Sequence, residues 1–495
     1  MTKILDYIYK KEKKVSNTIN ALLQENIKNL TILFSIYLLA FSAIIRADYN
    51  YADDVMRKYI GYHGWMDWTR WTTTILSNVM HADWDLIDVS PLPQVVACAF
   101  LAIASLCLIK IFNKNDRVSL MNIIASLAVG LCPYFLGCIS FKYDAPYMAL
   151  SMMVSIIPFL YRDKNPKIYY IISAFCMLMM FTSYQTSSGI YPTIVVFIAV
   201  DMFCNNAKVK KIINFILVSV MAYTSALVFF ALVLLQPGNT ATIPLNNIFV
   251  EVIKRYIYIY SLVSVDFRKL WIFFIIIAVL GYFFCVYLET NNRKGFSVIF
   301  AFMAVLLGSV FAWNVLLIMS RDSFDSRNML GLGPLIAIIF VKLSYSKKST
   351  LLKLCFIIVN WCWLVYAFAY GNALKEQRRY TDFRIQVLIN DLNTIDYESD
   401  NLKYLKVTGS IGYSPVIENM NNHYDYIRKL LNYNILGESS FIYGEGFYLY
   451  NYFDLGELYT YDFDVDYEEL NLPLVIENQY ETIYADDNFI YVILN

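Results

Sequence analysis

The sequence predicts a polytopic α-helical membrane protein with about eleven transmembrane helices and a small α/β domain at its C-terminal end. Three observations carry that prediction. Of 495 residues, 58% are hydrophobic and 16% charged, with a mean hydropathy of +0.48, more apolar surface than a soluble chain of this size can hide. Apolar runs of roughly the length a bilayer requires recur between residues 30 and 370. Short basic clusters occupy every second connection between those runs, the bias that marks cytoplasmic loops.

Residues 1–29 are a polar lead containing Lys10, Lys11, Lys13 and Lys14, without the shape of a signal peptide. An uncleaved first helix with a cytoplasmic N-terminus is expected. The 30–370 module carries apolar runs at 30–45, 93–112, 118–139, 145–161, 168–184, 190–204, 212–236, 270–288, 296–319, 329–343 and 351–370. Basic residues at 113–117, 162–167, 208–211, 293–294 and 347–348 assign those connections to the cytoplasm. The alternate connections are 46–92, 140–144, 185–189, 237–269 and 320–328. They are expected on the outer side of a bacterial cytoplasmic (inner) membrane, as is the domain 371–495. From Lys375 onward, eight Lys or Arg stand against twenty-one Asp or Glu, so this domain is acidic. Its pattern predicts a helix over 375–391, a strand over 404–408 and a helix near 424–431. A hairpin of 481–485 and 489–494 should turn at Asp486-Asp487-Asn488.

Several function classes are excluded. No basic domain or stripe exists for nucleic acid. No P-loop occurs, and Gly331-Leu-Gly333-Pro is not a phosphate cradle. All nine cysteines lie in apolar runs without a C-x-x-C, which reads as small apolar packing. The three histidines form no zinc signature. Asp462-Phe-Asp464-Val-Asp466 resembles a calcium loop, but Tyr467 stands where Gly is required and Pro473 where Glu is. No metal or other cofactor is expected.

The polar residues of the outer face are the candidates for chemistry. In the 46–92 loop, Asp53 and Asp54 form an adjacent carboxylate pair shortly after the first span. One of them can act as a general base, its pKa raised by like charge and burial; the competing reading is that Asp53 caps the next helix and Asp54 is solvated. Trp65, Trp68 and Trp71 recur at i, i+3 and i+6, which predicts one helix lying flat in the interface, with Arg70 beside them. Lys142, Tyr143, Asp144, Tyr184, Gln185, Arg321, Asp325 and Arg327 sit at the mouths of spans, where ionisable groups are expensive. Arg327 is well placed to grip a phosphate bidentately; snorkelling or a pair with Asp325 is the bland alternative.

Taken together, Ala52-Asp53-Asp54-x-x-Arg57, the Trp/Arg-rich stretch to Trp71, Tyr184-Gln185 and Arg327-x-x-x-Gly331-x-Gly333 resemble the serotype-converting O-antigen glucosyltransferase family. Those are polyprenyl-phosphate-dependent membrane glycosyltransferases of the GT-C type. The resemblance implies a lipid-linked sugar donor, commonly glucose on undecaprenyl phosphate, and a polysaccharide or lipid-linked oligosaccharide acceptor. It also implies a flippase and a donor-synthesising glycosyltransferase as functional partners, beside membrane lipids. An Asp of the first outer loop, Asp53 or Asp54, would be the base of an inverting displacement. Arg327, then Arg57, Lys142 and Arg321, would offset the leaving phosphate's charge. Asp144, Tyr143, Gln185, Trp65, Trp68 and Arg70 would contact substrate.

Two other classes fit a many-helix membrane protein. A flippase or transporter of lipid-linked sugars predicts internal repeats and mid-span charges, and neither is found. A polysaccharide polymerase predicts strongly basic middle outer loops, whereas 237–269 carries only Lys254, Arg255, Arg268 and Lys269.

Overall fold

The computed structural model describes residues 27–113, 117–236, 242–244, 246–290, 293–319, 324–346, 350–395, 403–431, 453, 459–460 and 470–495. Among them, seven helices are long and apolar enough to cross a membrane: Ile27–Ala47, Leu92–Phe112, Gln185–Cys204, Val209–Leu234, Lys269–Glu289, Lys294–Phe311 and Lys353–Thr394. Leu120–Leu131 and Pro133–Ile139 pass the same test together but are bent by 62°. Three shorter apolar helices, Ala145–Tyr161, Pro166–Phe181 and Leu332–Tyr345, complete the bundle.

The bend replaces the straight span expected over 118–139, and proline chemistry explains it. Pro133 cannot donate a backbone hydrogen bond, and Cys132 before it takes extended dihedrals of φ −52 and ψ 129. The expected 296–319 run is likewise divided, into Lys294–Phe311 and Asn314–Ile318.

Leu332–Tyr345 is enclosed by other helices over most of its surface. It approaches them closely because its first turn is bare. A Cβ on Gly331 would lie 2.1 Å from the Ala312 carbonyl oxygen, and one on Gly333 would lie 2.8 Å from that of Ala128.

Connections that alternate along the chain sort to opposite ends of the bundle. At one end, Trp68 meets Gln185, Tyr184 meets Asn328, and Asp266 meets Lys429. At the other, Arg162 meets Ile111 and Lys342 pairs with Asp201. The first end carries the C-terminal domain.

That domain grows out of the last long helix. Lys353–Thr394 runs for 42 residues without interruption, so the boundary expected at 371 falls inside a helix. Beyond it lies a five-stranded sheet in the order β2-β1-β5-β4-β3: β1 (Lys403–Gly409), β2 (Tyr459–Thr460), β3 (Leu474–Glu477), β4 (Glu481–Ala485) and β5 (Phe489–Leu494). β1 runs parallel to β2 and β5, while β3–β4 and β4–β5 are antiparallel. The expected hairpin is β4–β5. Its turn is held by Asp486 Oδ1, which accepts from the Asn488 and Phe489 amides at 2.8 Å each. The apolar core is continuous from the bundle into Leu405, Val407, Ile483, Ile490 and Val492 of the sheet.

Candidate active site

The first loop folds into Asp54–Ile60, a 3-10 turn Met66–Trp68 and the helix Trp71–His81. The single flat helix expected from the tryptophan spacing does not form. Thr69 adopts a left-handed φ of 59°, which ends one element and lets Trp71 begin another. Trp65 therefore turns inward and is 1% exposed, whereas Trp68 and Trp71 are 38% and 39% exposed.

Trp65 belongs to a buried charge cluster. Its Nε1 donates to Asp144 Oδ1 at 2.7 Å, and the Arg57 guanidinium lies 4.6 Å over its ring. Asp144 Oδ2 is ion-paired with Arg57, and Arg70 Nη1 stands 4.0 Å from Asp144 Oδ1. Arg70 in turn lies 4.7 Å over the Tyr184 ring, and Tyr184 donates its hydroxyl to Asn328 Oδ1 at 3.0 Å. Two arginines are thus held by aromatic faces and one shared carboxylate, an arrangement that fits a planar guanidinium and not an ammonium. Burial pulls the Arg70 pKa down to about 10, Tyr184 opposes that, and Arg327 and Arg57 add to it.

The adjacent carboxylates have separate fates. Asp54 is fully buried; its Oδ2 accepts from the Tyr51 amide at 2.9 Å and the Lys142 amide at 3.0 Å. Burial pushes its carboxyl up to about 7 despite those amides and the charges of Arg57 and Lys142. Asp53 occupies the N-cap position of Asp54–Ile60 but makes no side-chain capping bond. Its side chain is 29% exposed, with Oδ2 3.6 Å from Arg57 Nη2. Ala52 before it holds a left-handed φ of 47°, a conformation that costs on the order of 1 kcal/mol outside glycine.

Other sequence candidates are committed elsewhere. Lys142 is 2% exposed, with Nζ 2.5 Å from Asp48 Oδ1 and 2.8 Å from Asn50 Oδ1, so its charge is already met. Asp48 also accepts from Arg378 at 2.9 Å, and these two cations hold its carboxyl below its usual value against the effect of burial. Tyr143 is buried and stacks on His81 with centroids 5.7 Å apart. Gln185 Nε2 donates to the Trp68 carbonyl at 3.0 Å. Arg321 and the 462–466 acidic run lie outside the described residues.

Arg327 sits beside a cleft of about 890 Å³. The cleft is lined on the bundle side by Tyr51, Ala52, Gly137, Phe141, Asp325, Ser326 and Arg327. The Arg327 guanidinium lies 5.2 Å over Phe141, and Ser326 Oγ donates to the Tyr134 carbonyl at 2.9 Å, fixing the turn. Burial would lower the Arg327 pKa, yet Tyr184, Asp53, Asp325 and Tyr51 more than offset it and raise it. The 62° bend is what brings Gly137 and Phe141 here. The cleft is also lined by Glu251, Lys254, Arg255, Tyr258 and Asp266 of the helix Ile248–Asp266, with Tyr426 and Lys429 of the C-terminal domain. Lys429 Nζ reaches Asp266 Oδ1 at 2.5 Å. Sequence reasoning missed Lys429, Tyr426 and Glu251, because only long-range folding brings them to the cleft. Among the described residues no group of three or more His, Cys, Asp or Glu side chains is gathered to hold a metal.

The arrangement can do three things: offer a solvent-reachable carboxylate, hold that carboxylate beside arginines, and present the Arg327 guanidinium to the cleft. Two comparisons with known proteins bear on the family of the chain. The chain is 26% identical over 162 residues to an uncharacterized 55.3 kDa protein from the gtrB 5′ region of Salmonella phage P22. That stretch is 32% of this chain and 32% of the phage protein, so the likeness spans about a third of the relative's length. The family match is longer, covering residues 42–338, from the end of the first helix through the cleft arginine and into Leu332–Tyr345, and by it the chain belongs to the glucosyl transferase GtrII family.

Proposed function

We propose that the protein transfers a sugar, glucose by its family, from an undecaprenyl-phosphate-linked donor to a hydroxyl of a surface polysaccharide such as O-antigen. The carrying observation is Asp53: a carboxylate that is partly exposed, free of capping duty, 3.6 Å from Arg57 and in the electrostatic field of Arg327. In this reading the eleven apolar runs form a GT-C-like module, and the basic connections face the cytoplasm. The cleft and the C-terminal domain then lie outside the inner membrane, where a flippase and a donor-synthesising enzyme would deliver the donor.

The reaction is a single displacement. Asp53 takes the proton of the acceptor hydroxyl as its oxygen attacks the anomeric carbon. The bond from that carbon to the phosphate oxygen breaks, the configuration inverts, and polyprenyl phosphate leaves with the electron pair. Arg327, with Arg70 behind it, offsets the charge that develops on the phosphate. Asp54 holds the loop through two backbone amides, and Asp144 positions Arg57 and Arg70. Asp325 lines the cleft directly and supports a second assignment of the base.

The test is release of free polyprenyl phosphate from a polyprenyl-phosphate glucose by purified protein with acceptor. Asp53→Asn should lower kcat by about 100-fold or more, the usual worth of a positioned general base. Arg327→Ala should lower kcat/KM for the donor. Full activity in Asp53→Asn together with loss in Asp325→Asn would move the base to Asp325.

A further inference from the structure

The helix Ile248–Asp266 is a cleft wall with two faces. At about 100° per residue, Phe249, Ile253, Ile257 and Val250 fall within one arc of about 100°. All four are exposed, at 83%, 60%, 63% and 58%. Glu251, Lys254, Arg255 and Tyr258 fall on another arc and line the cleft. The helix is fastened to the bundle by buried Ile259, by Arg255 donating to the Leu316 carbonyl at 3.2 Å, and by Tyr256 meeting Ser309 Oγ at 2.8 Å. Directly after it, Arg268 and Lys269 lead into the apolar helix Lys269–Glu289. Leu270, Phe273, Ile276 and Leu280 of that helix are 52–60% exposed, so bare apolar surface stands on both helices, on either side of the buried junction Asp266-Phe267. That adjacency names the occupant of the face, because the surface of a membrane-crossing helix is covered by lipid, and the basic pair at the junction belongs at head-group level.

We infer that the helix Ile248–Asp266 lies in the plane of the membrane interface. Its Phe249/Ile253/Ile257 face rests in the acyl layer, which sets the Lys254/Tyr258 wall of the cleft at head-group depth. A lipid phosphate then reaches the cleft sideways while its hydrocarbon chain stays in the bilayer. This last consequence rests on the proposed sugar transfer; the placement of the helix does not.

The full-length protein in liposomes, with the two incompletely buried cysteines changed as Cys204→Ser and Cys362→Ser, is spin-labelled singly at 249, 251, 253, 254 and 257. Collision with dissolved oxygen should exceed collision with a water-soluble nickel chelate at 249, 253 and 257, and the order should reverse at 251 and 254. A chelate preference at 253 and 257, or no periodicity, overturns the placement. In the functional arm, Ile257→Glu should lower kcat/KM about ten-fold for a long-chain polyprenyl-phosphate glucose and leave a short, water-soluble analogue unaffected. An equal loss with both donors overturns the sideways route. If the unaltered protein uses neither donor, the sugar-transfer reading fails, and the accessibility pattern still decides where the helix lies.

Discussion

Asp54→Asn separates the two carboxylates of the first loop by thermodynamics. In the folded protein Asp54 is fully buried and its carboxyl is pushed from an ordinary 3.8 up to about 7, chiefly by burial. A raised carboxyl favours the protonated form on folding. Its contribution to stability is therefore complete below about pH 4 and is lost as the pH climbs to about 7. Three pKa units correspond to roughly 4 kcal/mol across that window. The carbonyl of the substituted side chain can accept the Tyr51 and Lys142 amides as Oδ2 does now, leaving an amide group where Oδ1 has no partner. That costs on the order of 1–3 kcal/mol and does not vary with pH. The assay is thermal unfolding of the protein in nanodiscs from about pH 4.5 to about pH 8, taken as the difference between Asp54→Asn and the unaltered protein, so that opposing groups such as Asp48 cancel. The unaltered protein should hold an advantage at the acid end that shrinks or reverses at the alkaline end. A pH-independent difference would refute the burial argument. Loss of sugar transfer in Asp54→Asn alongside full activity in Asp53→Asn would refute the assignment of roles.

Three further outcomes follow from the same geometry. Arg57→Leu strands Asp144 beneath Trp65 and should destabilise the protein by about 3–5 kcal/mol, read as a fall in unfolding temperature, with Arg57→Leu/Asp144→Leu recovering part of it. Gly331→Ala drives a methyl into the Ala312 carbonyl and should reduce the yield of folded protein, whereas Gly295→Ala, where nothing lies within 4 Å, should not. Arg378→Ala removes bonds to the Ala47 and Asp48 carbonyls and to the Asp48 carboxylate, so proteolysis of the 46–60 loop should become faster while the far end of the bundle is unaffected.

The apolar runs were legible as helices because apolar helical patterning is a local property, and each run corresponds to a helix or a divided helix; among the described residues seven helices are long and apolar enough to cross a membrane, not the eleven expected. The β4–β5 hairpin was legible for the same reason: alternation plus an Asp-Asp-Asn turn that binds its own backbone. The bend at Pro133 carried a readable signal in its proline. The break at Thr69 carried none, since threonine is not a common left-handed residue, and the tryptophan spacing pointed to a helix that tertiary packing of Trp65 against Asp144 overrides. The candidate site was legible as a set of residues and not as a set of roles. Asp53 and Asp54 are indistinguishable in sequence, and only burial tells them apart. In sequence the nearby partner for Lys142 is Asp144, but the fold sets Lys142 against Asp48, 94 positions earlier, and gives Asp144 to Arg57.

The unbroken helix Lys353–Thr394 has a consequence for exchanging C-terminal domains between family members. At about 1.5 Å per residue its 42 residues reach about 63 Å, twice a bilayer's hydrocarbon core, so about half of the rod stands clear of the membrane. Gly371 is not a hinge in it: a Cβ there would lie 2.5 Å from the Ala43 backbone, so the rod is clamped against the first helix. The C-terminal domain is therefore indexed to the bundle by rotation about one axis. A graft that adds a single residue between Gly371 and Leu388 would turn Lys429 and Tyr426 away from the cleft by about 100°, while about seven added residues would bring them nearly back into phase.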